Sequence, residues 1–436
     1  MVPLNVDLIR QRSWCLMSFP NVSEEMFRQI MSENFTPSAT IKTPERLFGR
    51  DAALKTIDRT FSSQGRQIFI FGDRGVGKTS VAQTAAFLQN SSKYSPIYVV
   101  CNQGSTFGSV VKAIGDSLTD IRKRIEQGGT SSAYGANLLG VGGSLKKGEA
   151  PRATINEPST INEALDIIRY VQSVRADKQV VIIDEMERIT DVREKEKFAE
   201  LIKNIPEVGD GIRFIFCGIA STLNELIGAH PSAGRVLETI NLPKLHHNYL
   251  WDIINHTAEK IGIAIDRELL VRVGQISDGF PHYVHLIGES MFWSAFDDAS
   301  PAESLQSKHY KDGIEGAISR AEATLKLQYE RATMKTKNTE DYEEALWSLA
   351  DTTSERRQLT EIYEASYKRI MSARRGRQIL TREKFNQRML ALRKDGHGSV
   401  IIGYGSGWFG FRENIIRGYV RLRAERQNVA LGRDVR

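Results

Sequence analysis

Short unbroken apolar runs alternate along this chain with longer stretches of helical period. Gln67–Phe71, Ile97–Cys101, Gln179–Ile183 and Ile212–Cys217 are too short for helices and apolar on both faces, the pattern of fully covered parallel strands. Between them, Thr79–Asn90, Thr106–Ile125, Ile161–Val174 and Glu194–Ile205 repeat apolar residues every three or four positions and predict helices. A further strand is expected over Thr239–Leu242. Strand–helix alternation of this kind implies an α/β fold, a parallel sheet flanked by helices, over 41–241. Ahead of it, 1–40 reads as an N-terminal extension with one amphipathic stretch, Glu24–Met31. The Gly- and Ser-rich segment 128–157 reads as a long loop or hairpin inserted into the core.

Beyond Leu242 only helical period appears, to about Ala299, which predicts an all-helical lid and linker over 242–334. The last segment, 335–436, changes again. Helical stretches at Thr339–Asp351, Leu359–Ser372 and Thr381–Lys394 lead into two short apolar runs around Gly405-Ser406-Gly407, then a closing helix from Glu413 to about Arg426. Three helices followed by a β-hairpin is the pattern of a winged helix.

Charge sharpens this division. The chain carries 59 Lys and Arg against 53 Asp and Glu, a net +6. From Asp351 to Arg436 the count is 19 against 9, leaving the rest of the chain net negative. A basic terminal module on an acidic body points to the module as the place where a polyanion would be met. No apolar run approaches the roughly 20 residues of a membrane span, so no membrane partner is expected. The first residues lack a basic start followed by an apolar core, and the three cysteines, Cys15, Cys101 and Cys217, are too scattered for a disulfide framework or a zinc site. A cytoplasmic location is expected.

The chemistry concentrates at Gly72-Asp73-Arg74-Gly75-Val76-Gly77-Lys78-Thr79, which fits the phosphate-loop spacing G-x-x-x-x-G-K-[ST] between a predicted strand and a predicted helix. Backbone N–H groups from Gly72 to Ser80 would face an anion there, and the helix dipole adds partial positive charge. Lys78 is placed to reach the β- and γ-phosphates, and the Thr79 hydroxyl to hold Mg²⁺. The expected ligand is a nucleoside triphosphate, with ATP and Mg²⁺ as cofactors. Asp184 and Glu185 end an apolar strand beside this loop. Asp184 would coordinate the metal and Glu185 would orient the attacking water as base.

Two further residues have two readings each. Ser221 follows the strand Ile212–Cys217, either as a polar group sensing the γ-phosphate or as a helix cap. Arg235 precedes the Thr239–Leu242 strand, either as an arginine finger on a neighbouring subunit's nucleotide or as a solvated surface arginine.

Taken together, Phe48-Gly49-Arg50, the phosphate loop, the Asp-Glu pair, Ser221 and Gly279-Phe280-Pro281 resemble AAA+ ATPases. The branch resembled is the one uniting origin-recognition initiators with STAND signalling ATPases, and the match spans roughly Phe35 to Ala299. The resemblance implies an ATP-driven switch that assembles as a homo-oligomer, with nucleotide between sheet and lid. Phe48, Gly49 and Arg50 would then lie near the adenine, and Pro281 and His282 near the nucleotide. Initiators carry a Gly-Asp-x-Arg arginine in the lid. This chain has Ser277-Asp278-Gly279-Phe280-Pro281-His282 instead, nearer the Gly-x-Pro of STAND proteins, which points to slow turnover.

In the basic module, Arg374, Arg375 and Arg377 precede the helix that carries Arg382, Lys384 and Arg388. Phe385, Met389 and Leu392 supply the apolar stripe of that helix. With the basic set facing outward, the helix would suit double-stranded DNA, arginines on phosphates; the alternative is a partner protein.

Overall fold

The computed structural model describes residues 19, 22–89, 95–126, 155–175, 178–298, 302–334, 337–374 and 376–432. Most of the 128–157 insertion, and Arg375, lie outside them. The chain forms two bodies: Thr40–Gly72 with Gly77–Pro243, and the described residues of Met1–Ala39 with Asp73–Val76 and Lys244–Arg436.

The first body is built on five strands, β1 (Gln67–Phe71), β2 (Ile97–Val100), β3 (Gln179–Asp184), β4 (Ile212–Gly218) and β5 (Leu237–Asn241). They lie in the order β2-β3-β4-β1-β5, all parallel. The strands sit within a residue or two of the expected positions, because runs apolar on both faces allow no other placement. The flanking helices are α2 (Asp51–Phe61), α3 (Lys78–Gln89), α4 (Phe107–Glu126), α5 (Ile161–Val174), α6 (Val192–Asn204), α7 (Ala220–Ala229) and the single turn α8 (Ala233–Val236), with α1 assigned to Glu24–Asn34. Phe69, Val111, Ile168, Ile183, Phe198, Phe214 and Phe216 are fully buried between sheet and helices. Local signals agree with this packing: Thr160 and Glu163 form a reciprocal capping box at the start of α5.

Helices dominate the second body: α9 (His247–Ile261), α10 (Arg267–Ser277), α11 (Pro281–Phe296), α12 (Ser307–Arg320) and α13 (Ala323–Thr333). The N-terminal α1 joins them, with Phe27 stacked on Phe296 at 4.3 Å between ring centroids. The expectation of an all-helical segment needs correcting here. Two-residue strands β6 (Ala264–Ile265) and β7 (Ser304–Leu305) pair in parallel between helices. Two residues carry no periodicity, so the pattern could not reveal them.

Further along come α14 (Thr339–Ala350), α15 (359–372, π-helical over Ile362–Tyr367), α16 (Arg382–Ala391) and α17 (Ile416–Arg426). A three-stranded sheet accompanies them: β8 (Arg357–Gln358), β9 (Ile401–Gly403) and β10 (Trp408–Phe411), in the order β8-β10-β9. Gly405, Ser406 and Gly407 all have positive φ (85°, 46° and 76°), which explains a Gly-Ser-Gly turn where a Cβ is disfavoured. Phe385, Met389 and Leu392 are fully buried, as their spacing predicts.

Asp278, whose side chain is only 2% exposed, anchors this body by pairing with Lys244 at 3.1 Å, Arg417 at 3.4 Å and Arg421 at 3.3 Å. Removing one partner of such a buried set leaves uncompensated charge. Asp278→Ala is therefore expected to lower stability by about 3 kcal/mol. Denaturant unfolding monitored by tryptophan fluorescence checks it, and an unchanged midpoint would refute the anchoring role.

Candidate nucleotide site

The carboxyl ends of β1, β3 and β4 carry the site of the first body. β4 lies between β1 and β3, so Phe71, Gly218 and Asp184 end neighbouring strands on one edge. Gly72 and Gly77 turn the chain with φ of 155° and 95°, which non-glycine residues rarely adopt. Helix α3 then starts at Lys78. Lys78 is 9% exposed, and its ammonium donates to the Gly72 carbonyl at 2.9 Å. That folds the side chain back over the loop.

One residue on, the Thr79 hydroxyl donates to Asp184 Oδ2 at 2.6 Å. The two residues chosen as magnesium ligands, 105 positions apart in sequence, are thus in contact. A hydroxyl that gives its proton to a buried carboxylate keeps its lone pairs for a cation. Among the described residues no group of three or more His, Cys, Asp or Glu could hold a metal. One carboxylate, one hydroxyl and phosphate oxygens form the sparse, hard donor set that suits Mg²⁺. Asp184 Oδ1 accepts from the Glu185 N–H at 2.8 Å. Glu185 itself is left-handed, with φ 56° and ψ 39°, and its carboxylate lies 3.4 Å from Arg188 Nε. Ser80 belongs to the same first turn, its hydroxyl accepting from the Ile41 N–H at 3.3 Å.

Sequence reasoning missed two residues. Tyr98, on β2, donates its hydroxyl to Asp184 Oδ2 at 3.0 Å. Burial first, then the charge of Asp184, raise its phenol pKa above the ordinary value, so it stays a donor. A lone tyrosine in an otherwise aliphatic strand was the available signal. Glu187 has a buried Oε2 with no hydrogen-bond partner. A Cβ at Gly218 would lie 3.6 Å from that atom, an ordinary contact distance that places Glu187 beside the end of β4. Cys217 is buried beneath the site, and desolvation raises its thiol well above the usual range, which makes it an inert core residue.

The other candidates are placed as follows. Phe48 and Gly49 precede Arg50, which is 5% exposed and whose pKa desolvation lowers to about 10. Ser221 is exposed inside α7; the residue capping that helix is Ile219, so the capping alternative is not realised. Arg235 is exposed in α8, just before β5 begins at Leu237, which pairs with Gln67 at the start of β1. It therefore sits at the edge of the sheet opposite Asp184 and does not join the site of its own chain.

Asp73, Arg74, Gly75 and Val76, the tip of the loop, belong to the second body. There Arg74 pairs with Glu322 and, at 3.3 Å, with Glu413. Asn414 donates to Asp73 Oδ2 at 2.8 Å, and a Cβ on Gly75 would meet Ile415 Cδ1 at 2.6 Å. Pro281 opens α11. His282 Nδ1 lies 3.0 Å from the Pro37 carbonyl oxygen, while Nε2 is buried without a partner. Burial lowers its pKa, so the imidazole is neutral; with Nδ1–H donating to Pro37, Nε2 has no proton to offer a phosphate.

Of the basic residues of the C-terminal segment, Arg374, Arg377 and Arg388 are paired internally, while Arg382 and Lys384 face outward. Arg377 pairs with Glu340 at 2.8 Å, Asp341 at 3.0 Å and Glu344 at 2.9 Å. Arg374 lies 3.2 Å from Glu344 and stacks over Trp347, and Arg388 pairs with Asp341 at 3.0 Å. The charge count from Asp351 onward leaves out these acids, which lie on α14 just before it. Arg382 donates to the Thr360 hydroxyl at 2.6 Å, and both it and Lys384 are exposed.

A parallel strand that ends in a phosphate loop, with a lysine and a threonine at the start of the helix that follows, is the arrangement of a P-loop ATPase. The chain belongs to the family described as an ATPase domain predominantly from Archaea, whose model matches residues 47–287, more than half of its length. Among solved structures it is similar to the Walker-type ATPase paby2304 of Pyrococcus abyssi, at 12% identity and a TM-score of 0.52, covering 88% of this chain and 99% of that one. Cdc6p from Pyrobaculum aerophilum matches at 13% identity and a TM-score of 0.46, over 93% of this chain and 99% of that one. The ORC2 protein of Aeropyrum pernix matches at 14% identity and a TM-score of 0.45, over 91% and 98%. At 12% identity the likeness to the Pyrococcus abyssi protein is one of fold. No curated protein matches the chain. Among the described residues no helix is long and apolar enough to cross a membrane.

Proposed function

We propose that this ATPase is a slow nucleotide switch of the initiator-like kind, whose bound ATP controls self-assembly and the DNA contacts of a C-terminal winged helix formed by 335–436. The observation that carries the reading is the loop tip. Arg74 is held by Glu322 and Glu413 and Asp73 by Asn414, so two residues of the phosphate loop are tied, through Glu413 and Asn414, to the segment proposed to respond. A triphosphate on the loop brings negative charge toward Arg74 and competes with both glutamates for it. Lys78 binds the phosphates, Thr79 and Asp184 hold the metal, and Glu185 orients water. Bound Mg²⁺ would neutralise charge developing on the phosphate oxygens. The neutral His282, in place of a lid arginine, supports slow turnover. Ser221 and Arg235 remain proposed as a γ-phosphate sensor and as a finger acting on a neighbouring subunit, the cell interior as the location.

DNA contact is assigned to Arg382 and Lys384, the exposed members of the basic set. Fluorescence anisotropy of the full-length protein with duplex DNA at several salt concentrations, with ATP and with ADP, tests this. The double variant Arg382→Ala, Lys384→Ala is expected to reduce the log–log salt slope by about 1.8, about 0.9 per phosphate contact. Absence of duplex binding at low salt with either nucleotide would remove DNA from the function.

A STAND-type signalling switch that meets a partner protein is the second reading. The internal neutralisation of Arg374, Arg377 and Arg388 favours it, as do the exposed Ile379 (51%), Leu390 (40%) and Trp408 (41%) on the same segment.

A further inference from the structure

Three donors converge on the Asp184 carboxylate, which is 3% exposed: the hydroxyls of Thr79 and Tyr98 on Oδ2, and the Glu185 N–H on Oδ1. They come from different elements. Thr79 lies in the first turn of α3, while Tyr98 reaches in from β2, the outer strand of the sheet. The β2–β3 register sets Val100 opposite Asp184 and Tyr98 opposite Ile182. Tyr98 is therefore two residues back along the neighbouring strand and on the same face as Asp184, a diagonal that an aromatic side chain spans. Its side chain stays partly at the surface, the residue being 42% exposed, yet its hydroxyl turns inward onto the carboxylate. A phenylalanine would cover the strand equally well; the hydroxyl is what the carboxylate uses.

We propose that Tyr98 is a positioning residue of the magnesium site, holding Asp184 in one rotamer and thereby setting its affinity for a divalent ion. The inference rests on the reading of Asp184 as a metal ligand. Two hydroxyls on a single oxygen fix both the rotation of the carboxylate and the division of its lone pairs, leaving capacity on Oδ1 for the ion. Outer partners of this kind typically change metal affinity about 10- to 100-fold when removed. The Tyr98 hydroxyl is engaged with Asp184 and not with the phosphate loop, so nucleotide affinity without metal is expected to be independent of it.

The test measures Mn²⁺ binding by electron paramagnetic resonance, using full-length protein saturated with a non-hydrolysable ATP analogue. Tyr98→Phe is expected to weaken Mn²⁺ binding about tenfold, with analogue affinity in EDTA and the thermal midpoint unchanged. Tyr98→Leu, which also removes the ring, is expected to weaken Mn²⁺ binding no less. Wild-type Mn²⁺ affinity in Tyr98→Phe overturns the proposal, and loss confined to Tyr98→Leu overturns it in favour of ring packing. Asp184→Asn separates the two levels. If it too leaves Mn²⁺ binding intact, the metal assignment fails along with the proposal; if it abolishes binding while Tyr98→Phe does not, only the role of Tyr98 falls.

Discussion

Lys78→Ala is expected to weaken ATP binding by about 100-fold or more, from loss of charge-assisted contacts to two phosphates worth about 3 kcal/mol together. The structure gives this a second component. The Lys78 ammonium already rests on the Gly72 carbonyl at 2.9 Å, inside a loop whose glycines are held at positive φ. Its side chain is therefore pre-placed, and little ordering entropy is spent when phosphate arrives. Alanine removes both the charge and the contact that ties helix start to loop start. Isothermal titration with ATP and with ADP measures the effect; affinity within threefold of wild type would mean that phosphate is bound elsewhere. Because Lys78 is nearly buried, a loss of stability has to be excluded, and Lys78→Met serves that purpose by keeping the stem without the charge.

How far the sequence led depended on the range of each signal. The five-stranded sheet was legible because strands covered on both faces must be apolar throughout, and the loop because its glycines answer to a backbone requirement. Asp184 was found through its neighbour in sequence, Glu185, at the end of such a run. Tyr98 was not, since its bond to Asp184 depends on strand order and register, which no local pattern contains. The paired strands β6 and β7 were invisible for the opposite reason, being too short to show any period. Charge misled most. The excess after Asp351 is real, but Glu340, Asp341 and Glu344 on α14 reach forward to Arg374, Arg377 and Arg388, and a count along the chain cannot tell a solvated arginine from a paired one. Glu344 illustrates the cost: desolvation is the leading influence on its pKa and raises it, despite the two arginines beside it.

Glu185→Gln is expected to retain ATP and lose turnover, lowering kcat by about 10³-fold, within the range ascribed to a positioned general base. Two features of the backbone favour Glu185 over its neighbours. Its left-handed conformation, which costs a non-glycine residue about 1 kcal/mol, persists at the residue that follows Asp184, and strain of this kind clusters at functional sites. Its N–H is also bonded to Asp184 Oδ1, so any movement of the carboxylate moves the base. Against it stands Arg188, 3.4 Å from the Glu185 carboxylate, an ion pair that must open before Glu185 can orient water. Both side chains of that pair are more than two-fifths exposed, so the pair is weak and opening it costs little. Glu187 is the competitor, with one buried oxygen lacking a partner near the end of β4. Single-turnover hydrolysis of bound ATP decides between them. Loss of the chemical step in Glu185→Gln with near-normal rates in Glu187→Gln establishes the first as base. The reverse pattern moves the base two residues along the chain and makes the strained backbone at Glu185 a hinge that aims Glu187.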